Sequence, residues 1–438
     1  MRFRSDRVNR KKGIKIILTR AKLVSLIRRR PLPPGDMTIR LDEIEAADRL
    51  SIIRKSTEDG PIFKGHAWDA FWIYVVGLPR CRELMRQHEA DLQPVTIDTT
   101  PLFAEGLLRQ MEGEVHRKYR SQLGLALKST DFSGAFVALA HDTRKLLAGL
   151  VTQFGRTPIP FEALYLCFSN LVFDGLTRFV FGIEPQSEHG RKLCAAYQEL
   201  GGNGLVWAPG LRQKKALSCI ADILRNASAE ESNQCKNSLM RKMQAQGPID
   251  DVMMGNLIYM VEMGRYDTTA FLRWLCWFAA MNPDWTDRIA DENDGGPVAE
   301  AFVMEALRLE QSERLVRRVK RDFVVDGYLF PKGAMLRFCI WESHKLPDAY
   351  DRPFDFDPGR FLEDMPGPER YSPFGTDKHQ CPFAAFSVNF GATFVKAMAN
   401  DYWVSSNGSH SSVRGLYHWE PDKSFSPILS PRFSGVSP

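Results

Sequence analysis

The spacing of apolar residues predicts helices over most of the middle of the chain. Residues 130–245 place apolar side chains at helical intervals almost throughout. Within them, residues 161–182 are apolar on nearly all sides, which predicts a buried helix. Another long helix is predicted from Asp250-Asp251, whose carboxylates can cap a helix N-terminus, to about Met281.

Strands are predicted only in short segments. Residues 59–64 and 72–76 have strand-like apolar runs, and a short helix is predicted at 78–89. Residues 327–333 form a further β segment bounded by turn residues, and the end of the chain has the pattern of strands and turns.

Composition limits the class of protein. The chain has 438 residues, of which 44% are hydrophobic and 25% charged, so it is globular and long enough for a large core, or for two domains by length alone. Its eight cysteines form no CxxC pair, which argues against a zinc site or a disulfide framework and favours a reducing compartment. Without a run of eighteen apolar residues or a signal-peptide pattern, we expect a cytoplasmic protein with no transmembrane anchor.

The first thirty residues carry much of the mild net charge of +5. They are rich in Lys and Arg, with Asp6 as the one acid, and apolar residues lie between the charges from Ile14 to Ile27. Arg28-Arg29-Arg30 and a proline hinge at 31–35 follow. Two interpretations stay open, a solvated and partly disordered arm or a basic amphipathic segment on an anionic membrane surface. We expect no nucleic-acid partner.

Candidate chemistry centres on Cys381. Phe374-Gly375 and His379 precede it on a loop, and a helix is predicted to start at Pro382. Backbone N–H groups at a helix N-terminus, together with the charges of Lys378 and His379, favour a thiolate. An anionic sulfur suits iron, including haem iron. On these residues alone, a buried structural cysteine is an equal alternative.

The Cys381 loop resembles the haem-binding loop of the cytochrome P450 superfamily, whose pattern is Phe-Gly-x-Gly-x-(His/Arg)-x-Cys-x-Gly. Four residues match this pattern: Phe374, Gly375, His379 and Cys381. Asp377 and Phe383 stand where the family has glycine, and Phe383 is expected to crowd the porphyrin face. The resemblance implies that Cys381 is the axial iron ligand and that Phe374 and His379 also contact the haem.

The middle of the second long helix carries a polar notch, Gly264-Arg265-Tyr266-Asp267-Thr268-Thr269. A threonine there can bond the carbonyl four residues back and open a kink, although a solvent-facing polar stripe is the alternative. The notch resembles the family's oxygen-binding groove. That resemblance implies that Thr268 hydrogen-bonds bound dioxygen and that Asp267 relays protons.

Arg265 departs from this pattern, because the family has glycine there. A guanidinium is costly to bury unpaired. We therefore expect Arg265 to have an internal partner such as Glu262 or Asp267, or to face outward. The sharper hypothesis is that Arg265 binds an acidic group of the substrate in bidentate fashion.

Glu305 and Arg308 lie three residues apart in apolar surroundings, which predicts a buried pair. They match the family's ExxR element, and Arg360 lies in a segment similar to the family's FxPxRF. The resemblance implies that these three residues form a structural core beside the haem.

His116 and Arg120 are four residues apart and therefore share one helix face. A solvated basic face is the ordinary meaning of such a pair. The segment is similar to the family helix that binds a haem propionate, and Arg317 matches another propionate ligand of the family.

The resemblance covers the chain from about residue 60 and implies a mainly α (α+β) cytochrome P450 fold, a helical domain with a small β-rich domain, in a soluble bacterial-type member. We expect residues 1–35 to form a basic arm with a proline hinge and residues 36–438 to form the haem domain. The implied enzyme is a haem-thiolate monooxygenase that uses heme b, dioxygen and NAD(P)H-derived electrons. Its reaction is expected to hydroxylate or couple a small organic substrate, in specialised metabolism.

Two other classes stay open, a peroxygenase or isomerase of the haem-thiolate type and a non-catalytic interaction module. The first class often lacks the acid–threonine pair and the second often lacks the cysteine, and both features are present here. Because no reductase domain follows the haem domain, we expect a small acidic ferredoxin with its ferredoxin reductase as the electron donor. Arg117, Lys118 and Lys378 are expected to form its basic docking surface.

Overall fold

The computed structural model describes residues 17–95, 106–201, 210–229, 237–292, 296–310, 315–407, 411–415 and 419–432. Sixteen helices lie within these ranges: α1 (17–28), α2 (Leu41–Ala47), α3 (Ser51–Asp59), α4 (Leu78–His88), α5 (Gly113–Ser129), α6 (Ser133–Phe154), α7 (Phe161–Phe181), α8 (Glu188–Leu200), α9 (Leu211–Ala229), α10 (Leu239–Gln244), α11 (Asp251–Met281), α12 (Pro283–Asp291), α13 (Val298–Leu309), α14 (Ile340–Ser343), α15 (Gly359–Glu363) and α16 (Ala384–Asp401).

Eleven strands occur in the same ranges: β1 (Ile62–Ala67), β2 (Ala70–Val76), β3 (Leu92–Pro94), β4 (Leu315–Val319), β5 (Phe323–Val325), β6 (Tyr328–Phe330), β7 (Met335–Cys339), β8 (Tyr402–Ser406), β9 (Ser412–Arg414), β10 (Trp419–Pro421) and β11 (Pro427–Pro431). Five of them form one sheet in the order β1-β2-β7-β4-β3, in which β2 and β7 are parallel. The remaining six form three two-stranded ribbons. The predicted mainly helical fold with a small β-rich part is confirmed.

Helix α11 is the central element of the helical part. Its N-terminus is capped by Asp250, whose carboxylate accepts a hydrogen bond from the backbone N–H of Met253 at 2.9 Å. Most of its residues are buried, and it packs against α7, α16 and strands β8 and β10. Both the cap and the end at Met281 agree with the sequence prediction.

Helix α7 is the buried helix predicted from its apolar composition. It ends at Phe181, where Gly182 takes a left-handed conformation with φ of 70° that glycine adopts without strain. Among the described residues, α7 is the one unbroken helix long and apolar enough to span a membrane, and 61% of its apolar window is buried inside the fold. Its packing against α6 and α11 makes it a core helix.

The helix predicted to start at Pro382 begins two residues later, at Ala384. Phe383 lies just outside the helix with φ −97° and ψ 18°, and no side chain caps this terminus. The backbone N–H of Cys381 is already bonded to the carbonyl of Phe374 at 3.0 Å. The cysteine therefore belongs to the loop, three residues before the first helical residue.

The described part of the N-terminal arm is not a solvated coil. Helix α1 contacts the apolar cluster of the small β-rich part through Ile17 and Leu18. The following segment is bonded to strands: Pro31 accepts from the N–H of Leu329 at 2.8 Å, and Pro34 accepts from that of Lys64 at 2.7 Å. Residues 1–16, the rest of the predicted arm, lie outside the described residues.

Candidate active site

A cavity of about 390 Å³ lies between α11 and the Cys381 loop. One wall consists of α11 residues that recur at helical spacing, including Gly264, Asp267 and Thr268. The loop and α16 form the opposite wall, which includes Phe374 and Cys381. The structure therefore brings the predicted iron ligand and the predicted proton-handling pair to one cavity.

The Cys381 loop is held by a series of hydrogen bonds. The N–H of Ser372 donates to Nε2 of His344 at 3.0 Å, and the Ser372 hydroxyl donates to the carbonyl of Gly375 at 2.8 Å. Gly375 has φ of 87°, which favours glycine at this turn. Together with the bond from Cys381 to Phe374, these contacts fix the position from which the thiol enters the cavity.

Glu305, Arg308 and Arg360 meet as the sequence predicts. The Glu305 carboxylate accepts from Nε and Nη2 of Arg308 at 2.6 and 2.8 Å and from Nε of Arg360 at 3.1 Å. The side chains of Glu305 and Arg308 have no exposed surface. Arg308 also donates to the carbonyl of His344 at 2.8 Å, so this ionic core is connected directly to the residue that holds Ser372.

His344 was not assigned a role from the sequence, although it links the ionic core to the Cys381 loop. Burial, with the charges of Lys345 and Arg308, lowers the pKa of His344 well below its ordinary value. The imidazole is therefore neutral, and its Nε2 is able to accept the Ser372 hydrogen bond.

The four basic residues predicted to contact haem line the same cavity: His116, Arg120, Arg317 and His379. The rings of His116 and His379 lie 4.4 Å apart, and burial lowers the pKa of both, that of His379 to about 3. Both ring nitrogens of His379 are buried without a hydrogen-bond partner. Buried polar atoms of this kind are rare unless a ligand or water satisfies them.

The first departure from the haem-loop pattern, Asp377, pairs with Arg317. Burial raises the pKa of the Asp377 carboxyl, but Arg317 and the hydrogen bond from the backbone N–H of His379 outweigh it and the net shift is downward. Arg317 thus has a carboxylate partner from the chain itself. Its neighbour Arg318 is exposed, which agrees with the choice of Arg317 as the inward-facing residue.

The second departure, Phe383, lines the cavity as expected. Its ring packs edge-on against Phe179, with ring centroids 5.5 Å apart. The side chain is therefore anchored to α7 while one part of it faces the cavity.

The polar notch leaves α11 helical throughout, so the predicted kink does not interrupt the helix. Thr269, not Thr268, bonds the carbonyl four residues back, with its hydroxyl 2.6 Å from the oxygen of Arg265. Thr268 and Asp267 instead line the cavity.

Arg265 lies outside the cavity lining. Its Nη2 is 3.1 Å from Oε1 of Glu262, and its guanidinium lies over the ring of Phe173 at 5.7 Å. Burial raises the pKa of Glu262 to about 7, against the opposing effect of Arg265. The hypothesis that Arg265 binds the substrate is therefore corrected: the structure has the internal partner that was the alternative.

The predicted docking surface for an electron donor is not simply basic. Arg117 pairs with Glu114, Lys118 lies 3.4 Å from Asp250, and Lys378 pairs with Glu89. Asp250 and Glu89 are distant in sequence from the lysines that they pair with. The sequence pattern around each lysine therefore did not show that its charge is neutralised.

Arg109 and Asn256 are cavity residues that sequence reasoning missed. Oδ1 of Asn256 accepts from the N–H of Leu108 at 2.6 Å and so fixes the segment that carries Arg109 against α11. Asn256 lies on the same helical face as Met260, Met263 and Asp267, so the period of the helix was a usable signal.

These residues fit a haem. Cys381 supplies a soft ligand of the kind that haem iron accepts. The described residues contain no group of three His, Cys, Asp or Glu that could hold a metal ion. The unsatisfied nitrogens of His379, beside the basic residues of the cavity, suit the carboxylates of such a cofactor.

Comparisons with known proteins agree with this geometry. The family model described as Cytochrome P450 matches residues 231–387. Lanosterol 14-alpha demethylase of Bos taurus is 23% identical over 384 residues, covering 77% of this chain and 74% of its own. Abscisic acid 8'-hydroxylase 1 of Oryza sativa subsp. japonica is 22% identical over 420 residues, covering 88% and 87%. A cyanobacterial cytochrome P450 solved with retinoic acid bound superposes with a TM-score of 0.72 at 19% identity, covering 92% of this chain and 100% of that one.

Proposed function

Because the chain belongs to the cytochrome P450 family and is a haem-thiolate monooxygenase, we propose that it oxidises a small, mainly apolar organic substrate held between α11 and the Cys381 loop. The observation that carries this proposal is the shared cavity of Cys381, Asp267 and Thr268. When bound there, heme b supplies the iron at which dioxygen is activated.

Cys381 would hold the haem iron through its Sγ atom, and Phe374 would contact the haem. His116, Arg120, Arg317 and His379 are proposed to bind the propionates, whose oxygens would accept a hydrogen bond from the ring N–H of the buried His379. The Asp377 carboxylate competes for Arg317, so Arg317 is expected to contribute less to haem retention than Arg120.

Asp267 and Thr268 are proposed to deliver protons into the cavity. The two residues are adjacent on α11 and both are partly buried. The Asp267 carboxylate would take up a proton from the solvent side and pass it on, and the Thr268 hydroxyl would give one from Oγ1 into the cavity as it receives that proton, so that both residues return to their starting state. The Thr269 hydroxyl cannot share this task while it is bonded to the Arg265 carbonyl.

The experiment that tests this function measures product formed per NAD(P)H consumed. Thr268→Ala should bind substrate normally but form less product and release peroxide, whereas the matched control Thr269→Ala should keep the wild-type ratio. An unchanged ratio in Thr268→Ala contradicts the proposed proton route. Product formed with added peroxide but never with NAD(P)H would identify a peroxygenase, and no product under either condition would favour a non-catalytic role.

For the substrate, we propose an elongated apolar molecule with an acidic group that Arg109 binds. Asn256, which positions the Arg109 segment, precedes Thr268 by twelve residues, about 18 Å along the helix axis. The backbone of the Arg109 segment therefore meets α11 well away from Thr268. One similar protein, abscisic acid 8'-hydroxylase 1, is named for an acid, which supports an acidic substrate.

The proposed role of Arg109 is tested by comparing the affinities of the protein for an acidic substrate and for its methyl ester. Wild-type protein should prefer the acid, Arg109→Ala should lose that preference, and Arg265→Ala should keep it because Arg265 lies outside the cavity lining. Equal loss of affinity for acid and ester in Arg109→Ala contradicts the proposal. Loss of haem from Arg109→Ala would instead assign Arg109 to the cofactor.

The electron donor is proposed to be a small ferredoxin reduced by a ferredoxin reductase. Arg117, Lys118 and Lys378 are exposed enough to meet an acidic partner, but each already has an acidic neighbour. Electrostatic steering should therefore be modest, and reduction rates should fall only moderately as ionic strength rises. A rate that does not fall at all contradicts docking on this surface.

A further inference from the structure

The hairpin that joins β1 and β2 turns at two residues, Trp68 and Asp69, since Ala67 pairs directly with Ala70. Both turn residues have positive φ, 45° and 55°. Two-residue turns of this kind favour asparagine and glycine, because most other residues are strained there. A tryptophan in this conformation is a genuine outlier, and outliers of this kind cluster at functional sites.

The surrounding structure holds the turn in this strained conformation. The backbone N–H of Trp68 donates to the Asp42 carboxylate, which also accepts from Nη2 of Arg40 at 2.7 Å. Nη1 of the same Arg40 lies 3.8 Å from the Asp69 carboxylate. Both turn residues are therefore fixed by neighbours outside the hairpin.

One face of the Trp68 ring is covered. The Arg414 guanidinium lies over it, 4.8 Å from the ring centroid, and Nη1 of Arg414 is 3.0 Å from a carboxylate oxygen of Glu45. The rings of Trp68 and Trp72 pack edge-on, with centroids 5.1 Å apart. Trp68 nevertheless remains 45% exposed, so these neighbours leave part of the ring uncovered.

Trp68 also borders the cavity between α11 and the Cys381 loop. It lines that cavity, and among the described residues of the lining it is the one that is exposed, so it marks the cavity opening. Another lining residue, Val316, packs against the apolar cluster that contains Trp72, so the hairpin and the cavity wall are continuous. A large aromatic ring therefore stands at the opening of the cavity.

We propose that Trp68 is a specificity-determining residue, on which a flat, unsaturated part of the substrate stacks at the cavity opening. Contacts between aromatic rings stabilise a complex beyond the burial of apolar area alone. A cationic group is disfavoured at this place, because Arg414 already occupies the other face of the ring. This inference rests on the proposed function, since the substrate concerned is the one held in that cavity.

Imidazoles that carry an alkyl chain test this proposal in the purified, haem-loaded protein. The imidazole nitrogen ligates haem iron and fixes one end of the probe, and the shift of the Soret band reports binding without the enzymatic reaction. Each chain ends in a phenyl or a cyclohexyl group, and its length is increased stepwise. At the length that reaches Trp68, the ratio of the phenyl affinity to the cyclohexyl affinity should rise about two- to tenfold above its value for short chains.

Trp68→Leu keeps an apolar side chain without a π system and should abolish this rise, whereas Trp68→Phe should keep most of it. The matched control, Phe354→Leu, alters an aromatic residue that is 54% exposed and lies outside the cavity lining, and it should behave as the wild type. The same rise in Trp68→Leu, or no rise at any chain length in the wild type, would overturn this inference while the proposed function stands. No shift of the Soret band with any probe would contradict the haem site of the proposed function, and this inference with it.

Discussion

Removing the Glu305 carboxylate should destabilise this protein more than almost any other single change. The carboxylate accepts three hydrogen bonds from Arg308 and Arg360, and a fourth, at 2.9 Å, from the backbone N–H of Asp357. In Glu305→Ala the guanidinium of Arg308, which has no exposed surface, keeps its charge without its carboxylate partner.

The magnitude follows from these contacts. Breaking a buried ion pair by removing one partner costs about 3–5 kcal/mol. The unsatisfied N–H of Asp357 adds about 1–3 kcal/mol. A total of about 4–8 kcal/mol is comparable to the whole stability of a typical domain, about 5–15 kcal/mol. We therefore expect Glu305→Ala to be insoluble or free of haem.

The assay compares soluble yield, haem content and the urea unfolding midpoint with those of Glu114→Ala. Glu114 forms the same i, i+3 pair with an arginine, but the side chains of Glu114 and Arg117 are 87% and 71% exposed. An exposed pair of this kind contributes only about 0–1 kcal/mol, so this control should behave as the wild type. Soluble, haem-loaded Glu305→Ala with a normal midpoint would refute the reasoning.

Two further predictions concern residues outside the reaction itself. Burial raises the pKa of Asp174 from 3.8 to about 6, so the folded state is penalised as pH rises through this window. Asp174→Asn should therefore be more stable than the wild type by about 1–3 kcal/mol near pH 8, by about half of that near pH 5 and not at all below about pH 3.8, as checked by urea unfolding. His344→Ala, which removes the acceptor for the Ser372 N–H, should cost about 2–4 kcal/mol and lower the fraction of protein with a normal Soret band, and an unchanged fraction would contradict the role of His344.

The sequence was sufficient to predict features that depend on a single helix. The cap at Asp250 and the apolar residues on both sides of the polar notch define α11, and the three-residue spacing of Glu305 and Arg308 places both on one face of α13. The direction of Arg265 could not be decided in this way. Consecutive residues of a helix are about 100° apart, yet Asp267 and Thr268 both line the cavity, whereas Gly264 lines it and Arg265 does not.

Ion pairs between residues that are far apart in the sequence could not be predicted from local sequence pattern. Lys378 and Glu89 are 289 residues apart, and Arg20 and Asp322 are 302 apart, so neither pair has a local signal. The start of α16 at Ala384 depends on the backbone bond between Cys381 and Phe374, which is a property of the folded loop. The docked face of α1 likewise depends on the sheet that it contacts.

The central claim, that Cys381 ligates the haem iron through its thiolate, is tested most directly by the absorption spectrum of the reduced, carbon monoxide-bound protein. Wild-type protein should give the red-shifted Soret band of a thiolate complex. Cys381→Ala should lose that band, whereas Cys167→Ala, which alters a partly buried cysteine of α7, should keep it. A Cys381→Ala protein that retains the red-shifted band would contradict the account.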